Sequence, residues 1–387
     1  MPGYFVFDSL TAISMAIYAG LALATFLAAP RRDREGSQLV GMAFIVFGTL
    51  LAYSAASLGL FAVGWIITAL PYLAGFLPSG PRIALGASTA ALVAGTAVAT
   101  LPGEGSHTAA FVLLVLAVLI RKGIFPFHSW VTLGFERSPL LPMGLLVNGH
   151  LGAYLLIRFG IPQFAAVAQQ ALPLLSILAL TSAIYTALLA LSQKSPRRIL
   201  ALLSVSQASF ILAGLESRNE EGVTGALLHW SVVAVATTGL YLVYRSIEAR
   251  HSRASAPDDH LGLVTRAPRL AAFFALCGLG LIGLPGTLGF AAEDLLFHGS
   301  LESHPLLGIT LPLATALNAI TMYRLFSRLF LGRGAGAVPA LPDALPRERW
   351  ALSAAAVFLV VFGILPGALV TARAHTAGQI ASLLGER

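Results

Sequence analysis

Long apolar segments separated by short breaks rich in glycine, proline and arginine run along the chain. An α-helix needs roughly 17–25 mostly apolar residues to cross the hydrocarbon core of a membrane. Segments of about this length predict membrane-spanning helices near residues 8–29, 38–56, 58–78, 83–101, 107–134, 139–160, 169–192, 197–215, 222–247, 268–300, 304–331 and 349–371. The pattern therefore predicts an all-α polytopic membrane protein with about twelve transmembrane helices.

The fifth and tenth of these predicted helices are longer than a simple span, and each contains a proline, Pro126 or Pro285. Proline removes a backbone donor and breaks a helix, which frees carbonyls to meet polar partners inside a membrane. The two broken helices are five helices apart, and a unit of five helices repeated once is inverted in the membrane because five is odd. The sequence thus predicts two inverted five-helix repeats, each with one broken helix, a plan typical of transporters.

This plan divides the chain into four parts. Residues 1–37 hold the first helix and a cytoplasmic loop, 38–160 the first repeat, 161–335 the second repeat, and 336–387 the last helix and a tail.

Composition supports a membrane protein. The chain is 57% hydrophobic and 11% charged, with a mean hydropathy of +0.82, whereas soluble domains carry about 25% charged residues. A single cysteine, Cys277, excludes an internal disulfide and any site built from several cysteines. The sequence contains neither a G-x-x-x-x-G-K-[ST] phosphate loop nor a metal-binding histidine pair. It therefore predicts no bound cofactor and no metal.

The chain has a net charge of +7, and the placement of its lysines and arginines in the loops indicates the membrane topology. When loops are assigned alternately to two sides, Arg158, Arg218, Arg373 and Arg387 fall on one side. The other side collects Arg31, Arg32, Arg34, Arg82, Arg137, Lys194, Arg197, Arg198, Arg245, Arg250, Arg253, Arg266, Arg269, Arg324, Arg328, Arg333, Arg347 and Arg349. The positive-inside rule makes the richer side cytoplasmic. Both termini are then predicted outside the cytoplasm, in a bacterial cytoplasmic membrane. Because the cations lie on short loops, they do not indicate a nucleic-acid partner.

Two adjacent cations, Arg121 and Lys122, interrupt an apolar segment just before Pro126. A charge at the centre of a bilayer costs from about 3 to more than 10 kcal/mol, so buried cations beside a helix break predict an ion path. The alternative is that both side chains extend to an interface.

Other polar residues inside the predicted spans extend this path. Glu293 follows the second break, where a buried carboxylic acid can exchange protons, and His150 and His229 titrate nearest neutral pH. Together they predict a proton relay across the midplane. Alternatively, Glu293 pairs with an arginine, His150 bonds a carbonyl and His229 is structural. Secondary candidates are His128, Asn148, Thr237 and Asp294.

Several stretches resemble one family. Residues 121–158, RKGIFPFHSWVTLGFERSPLLPMGLLVNGHLGAYLLIR, resemble the signature of the antiporter-like subunits of respiratory complex I and of Mrp cation/proton antiporters. The stretch SPRRILALLSVSQASFIL from Ser195 and GLIGLPGTLGFAAEDLL from Gly280 are similar to two further family motifs. The resemblance extends from about residue 4 to residue 335, and it implies inverted five-helix repeats.

The resemblance also implies roles for individual residues. Arg121 stands where the family has its central lysine, His150 where it has the lysine of the following helix, and Glu293 at the terminal charged residue of the relay. His229 matches a histidine or glutamine, and Thr237 a position where some members carry lysine.

The main departure from the family is Ile66, which stands where the family has a glutamate that pairs with the central lysine. Arginine does not release its proton at physiological pH. The first repeat is therefore expected to differ in mechanism from the usual pump.

We expect a proton- or cation-conducting membrane subunit, coupled to a partner protein and embedded in the lipid bilayer. The resemblance implies a non-redox translocase subunit of an NADH-quinone oxidoreductase-like or related complex. The alternatives are the membrane subunit of an inorganic-carbon (CO2/bicarbonate) uptake complex, a non-conducting scaffold for a partner enzyme, and an autonomous antiporter.

Overall fold

The computed structural model describes residues 3–251, 260–301, 305–332 and 342–385, and these residues are overwhelmingly helical. Their only β pairing is an isolated bridge between Phe5 and Ala55. The helices are α1 Ser9–Ala28, α2 Gly36–Ser54, α3 Leu58–Leu73, α4 Arg82–Val98, α5 Glu104–Lys122, α6 Ser129–Arg137, α7 Leu140–Asn148, α8 Leu151–Leu155, α9 Ile161–Gln163, α10 Ala165–Ser192, α11 Pro196–Gly214, α12 Glu220–Arg250, α13 Pro268–Leu281, α14 Leu288–Leu301, α15 Pro305–Phe330, α16 Pro346–Ile364 and α17 Gly367–Gly385. The predicted all-α class is confirmed.

Both predicted helix breaks are present. The fifth predicted helix is divided into α5 and α6 by residues 123–128, and the tenth into α13 and α14 by residues 282–287. Gly123 ends α5 with a φ of 69°, and its N–H bonds the Ile120 carbonyl. A Cβ at Gly123 would lie 2.5 Å from Val131, so both the left-handed turn and the close approach require glycine there.

Six described helical segments are long and apolar enough to cross a membrane, or seven if the bent pair α16 and α17 counts as one span. The six are α1, α2, α5, the segment Leu140–Gln163, α10 and α12. Three shorter apolar helices, α3, α4 and α13, have 10–17 residues each. The Leu140–Gln163 segment and α12 are buried throughout their apolar windows. The centre of the molecule is therefore formed by the elements that carry His150 and His229.

The two predicted repeats have matching helix neighbours. In the first, α2 packs on α3 and α4 on α5; in the second, α10 packs on α11 and α12 on both α13 and α14. The last helix of each set returns to the first, since α7 and α8 touch α2 and α15 touches α10. This pattern agrees with two copies of one five-helix unit. The predicted start of the eleventh helix at 304 and the predicted boundary at 335/336 lie outside the described residues.

The prediction for the C-terminus was wrong. A single helix was expected near 349–371, followed by a tail, but α16 ends at Ile364 and the chain bends by 80° into α17. Pro366 accounts for the break, because proline lacks an amide donor and disfavours helical geometry in the residue before it. The residues beyond it form α17. Leu369, Arg373 and Ala377 are spaced four apart, so they lie on one face of this helix, and that face is buried against the rest of the protein.

Ion pairs join several elements at one end of the bundle. Arg245 donates two hydrogen bonds to Asp33, at 2.6 and 2.7 Å, and Arg197 donates two to Glu248, both at 2.7 Å. These bonds link the turn before α2 with α11 and α12, and Arg250 extends the set to α16 through a further acid. These three arginines were all predicted for the same side. Arg253, Arg333 and Arg387 lie outside the described residues.

Candidate functional site

Lys122 and His150 form the centre of the site in the first repeat. Lys122 is the last residue of α5, and its Nζ hydrogen-bonds Nδ1 of His150. His150 lies between α7 and α8 with a φ of +42°, an uncommon conformation for a residue with a side chain. The interruption of the helix therefore turns the imidazole toward Lys122. The other ring nitrogen, Nε2, is buried and has no partner within the described residues.

Arg121 faces a different helix. Its Nη2 donates to the Thr68 hydroxyl on α3, and its guanidinium lies 4.7 Å from the ring centroid of Trp65, within cation–π range. Ile66 is partly exposed, whereas Trp65 and Thr68 are buried. Because successive helix residues are about 100° apart, Ile66 lies nearly opposite Thr68 on α3. The neighbour that meets Arg121 is thus a neutral hydroxyl.

Asn148 joins the two repeats. Its amide nitrogen donates to the Ala234 carbonyl at 3.2 Å and to Thr238 Oγ1 at 2.9 Å, and its Oδ1 accepts from Thr237 Oγ1 at 3.0 Å. Thr237 also bonds the Val233 carbonyl of its own helix. Both threonines therefore connect α12 to α7 by hydrogen bonds to Asn148, which lies two residues before His150.

His229 lies on α12 in the second repeat. Its Nε2 is 3.1 Å from the carbonyl oxygen of Gln207, and its Nδ1 has no partner within the described residues. The Gln207 side chain is also buried, and both of its polar atoms lack a described partner. Trp230, the residue after His229, has its ring centroid 5.8 Å from that of His150. An aromatic side chain therefore lies at the junction between the two repeats.

Three residues that the sequence reasoning missed extend the site from Gln207 to Glu293. Ser206 accepts a hydrogen bond of 2.8 Å from Nδ2 of Asn318 on α15. One turn earlier on α15, Thr315 donates to Glu293 Oε1 at 3.3 Å. The spacing of Thr315 and Asn318 at i and i+3 places them on one helix face, a signal that was available in the sequence.

We call this row the polar axis; its members are Lys122, His150, His229, Gln207, Ser206, Asn318, Thr315 and Glu293. It begins at the first helix break and ends beside the second, where the Glu293 carboxylate lies against Gly283. A Cβ at Gly283 would be 2.5 Å from Glu293 Oε2. The axis has three groups that titrate at one end and Glu293 at the other, with four groups that form hydrogen bonds between them, a composition suited to moving protons.

Two secondary candidates lie apart from the axis. Asp294 is exposed and forms an ion pair with His298 at 3.4 Å on the outer face of α14. His128 follows the first break and packs edge-on against Tyr185 of α10, with ring centroids 5.0 Å apart. Within the described part of the chain, neither forms a hydrogen bond with a member of the axis, and no group of three or more potential metal ligands occurs.

Comparison with known proteins gives one family. The profile of the family described as NADH:quinone oxidoreductase/Mrp antiporter, TM, matches residues 85–318. NADH-quinone oxidoreductase subunit M of Rickettsia felis is 26% identical over 263 residues, which cover 66% of this chain and 52% of the relative. NAD(P)H-quinone oxidoreductase chain 4 of Gloeobacter violaceus is 28% identical over 291 residues, covering 72% and 55%. The chain thus spans about half the length of these curated relatives.

Solved structures show the same fold. A chain of respiratory complex I from Thermus thermophilus with bound NADH superposes with a TM-score of 0.87 at 24% identity, covering 99% of this chain and 86% of that one. A chain of the Mrp complex from Dietzia sp. DQ12-45-1b gives a TM-score of 0.82 at 16% identity, covering 98% and 86%.

Proposed function

The chain belongs to the NADH:quinone oxidoreductase/Mrp antiporter membrane family, and on that basis we propose that it is a proton-conducting membrane subunit of a larger complex. The observation that carries this proposal is the polar axis, a row of buried or partly buried titratable and hydrogen-bonding groups between two helix breaks. Such groups are costly in a membrane interior and are retained where they serve ion movement.

Each group of the axis has a proposed task. Lys122 donates to His150 Nδ1, so a proton moves between an ammonium and an imidazole without leaving that contact. His229 receives it across the junction marked by Trp230. Ser206, Asn318 and Thr315 then line the proposed route to Glu293, and the Gln207 side chain, which has no described partner, lies beside its start.

Arg121 has a different task from Lys122. Arginine keeps its proton, so Arg121 acts as a fixed positive charge next to the mobile one. It raises the free energy of the protonated, charged form of Lys122 and thereby favours transfer of that proton to His150. The first repeat is therefore proposed to gate protons through Lys122 and His150.

The driving reaction is proposed to belong to partner subunits. Relatives carry the names of oxidoreductase subunits, and the structural neighbours come from respiratory complex I and an Mrp complex. We propose that this chain likewise assembles with other membrane or peripheral subunits, in a bacterial cytoplasmic membrane. A partner that handles CO2 or bicarbonate would use the same axis, so inorganic-carbon uptake is the alternative coupling.

A non-conducting scaffold for a partner enzyme is the second candidate. The contact between Arg121 and the neutral Thr68 favours it, because no described carboxylate forms an ion pair with that charge.

Proton flux into liposomes containing the full chain separates the two candidates. With an internal pH-sensitive dye and a potassium diffusion potential, we expect the native chain to acidify the lumen and Glu293→Gln to fall to the level of protein-free liposomes. Asp294→Asn is the matched control, since Asp294 is the exposed neighbour, and it should retain native flux. Equal rates for native protein, Glu293→Gln and empty liposomes would favour the scaffold.

A further inference from the structure

Three buried cations, Arg121, Lys122 and Arg373, form no ion pair with an acid in the described part of the chain. Lys122 has His150 as its partner, and Arg373 lies 3.5 Å from the Ser14 hydroxyl. Within the described residues, the polar partner of Arg121 is Thr68 and its aromatic partner is Trp65. A buried charge is costly unless an opposite charge or several hydrogen bonds compensate it, so the surroundings of Arg121 are the most demanding of the three.

The two side-chain nitrogens that lack a described partner at Arg121 and Trp65 are both hydrogen-bond donors. Arg121 Nη1 and Trp65 Nε1 are both buried without an acceptor among the described residues. The Thr68 hydroxyl already donates to the Trp65 carbonyl, at 2.6 Å. The nearby tyrosines direct their hydroxyls elsewhere, Tyr18 to the Leu145 carbonyl and Tyr72 to the Met143 sulfur. A ligand that completes this site must therefore accept hydrogen bonds and carry negative charge.

We propose that a small monovalent anion, of the class of chloride, formate or bicarbonate, binds beside the Arg121 guanidinium as its counter-ion. A guanidinium presents several N–H donors in a planar fork that suits such an acceptor, and the indole N–H of Trp65 supplies a further donor. The anion offsets the charge next to Lys122, so its occupancy tunes proton transfer along the polar axis. That consequence rests on the proposed function, whereas the binding itself does not.

Binding of radioactive chloride to the full chain in detergent tests the site. Equilibrium dialysis is carried out at constant ionic strength with gluconate as the replacing anion, because gluconate is too large for a site between helices. We expect saturable binding of one chloride per chain, and competition by formate and bicarbonate. Thermal unfolding of the same samples should show a Tm that rises with chloride, since a ligand that binds only the folded state stabilises it.

Two variants locate the site. Arg121→Gln should weaken chloride binding by about ten- to a hundredfold, the loss expected for hydrogen bonds to a charged group. Thr68→Asp places a tethered carboxylate beside Arg121 and should displace the anion, so that the Tm no longer depends on chloride. Arg373→Gln is the matched control, because it removes another buried arginine without a described acid and should leave chloride affinity unchanged.

Absence of saturable binding of all three anions to the native chain would overturn the proposal. Unchanged affinity in Arg121→Gln would do the same, as would loss of binding in Arg373→Gln alone. If Arg121→Gln does not fold, unchanged chloride affinity in Thr68→Asp contradicts the site by itself. A chain that binds chloride but conducts no protons removes only the proposed function.

Discussion

Two neighbouring residues, Arg121 and Lys122, have separate environments because of helix geometry. Consecutive positions on α5 point about 100° apart, so Arg121 meets Thr68 on α3 and Lys122 meets His150 before α8. One cation is held against neutral oxygen and an aromatic face, and the other against an imidazole that can accept its proton. In the proposed function, the same formal charge therefore has a fixed role at Arg121 and a mobile role at Lys122.

Asn318 is predicted to matter for conduction more than for folding. Asn318→Ala removes the hydrogen bond to Ser206 and interrupts the polar axis, so proton flux in liposomes should fall severalfold. Hydrogen bonds between membrane helices are worth about 0.6 kcal/mol on average, so the free energy of unfolding should change by less than about 1 kcal/mol. Thr310→Ala is the control on the same helix, because Thr310 is partly exposed and its hydroxyl donates to the backbone of its own helix. Native flux in Asn318→Ala would exclude this residue from the path.

At the scale of helices, the carboxylate of the axis depends on how closely α14 approaches α12. A Cβ at Gly225 on α12 would lie 2.5 Å from the backbone nitrogen of Leu296 on α14. Because glycine has no Cβ, the backbones of the two helices can approach closely at this point. Glu293 lies three residues before Leu296, so the half-helix that presents it is positioned by this contact.

Gly225→Ala should therefore destabilise the protein and displace α14. Real Cβ atoms essentially never come this close to backbone, so the helices must separate; overpacking of this kind costs about 1–3 kcal/mol. Gly20→Ala is the matched control, because no atom lies within 4 Å of a Cβ at that helical glycine, and alanine there should be neutral or stabilising by up to about 1 kcal/mol. Unfolding of both variants in detergent, monitored by circular dichroism, measures the difference. Equal stabilities would contradict the close packing of α12 and α14.

Across the whole molecule, the two ends of the bundle are held by different contacts. Ion pairs of Arg197, Arg245 and Arg250 join elements at one end. At the other end, Arg158 pairs with Asp8, and α17 packs on α12 and α1. The last described helix thus closes the end of the bundle that holds Asp8 and Arg158, opposite the arginine-rich loops.

The charge asymmetry predicts that this closed end faces away from the cytoplasm. After Cys277→Ala, single cysteines introduced by Gly3→Cys and Gly385→Cys should react with a membrane-impermeant maleimide added outside intact cells. Lys194→Cys, an exposed position at the arginine-rich end, is the control and should react only after the membrane is opened. The reverse labelling pattern would invert the topology that the positive-inside rule predicts.

The membrane class, the approximate spans and both helix breaks follow from the sequence alone. These features depend on residues close together in the chain: runs of apolar side chains set the spans, and Pro126 and Pro285 interrupt them where they stand. The charged and histidine side chains of the site were also recognisable, because polar side chains are conspicuous in apolar segments; they are Arg121, Lys122, His150, His229 and Glu293.

Only the tertiary structure decided which groups meet. Arg121 and Thr68 are 53 residues apart in the chain, and Ser206 and Asn318 are 112 apart, so no local pattern connects them. A lone asparagine or threonine in an apolar helix has the same sequence appearance whether it packs or takes part in a relay. The helical tail α17 likewise depends on the surfaces of α1 and α12 against which it packs, because a short amphipathic helix gains most of its stability from tertiary packing.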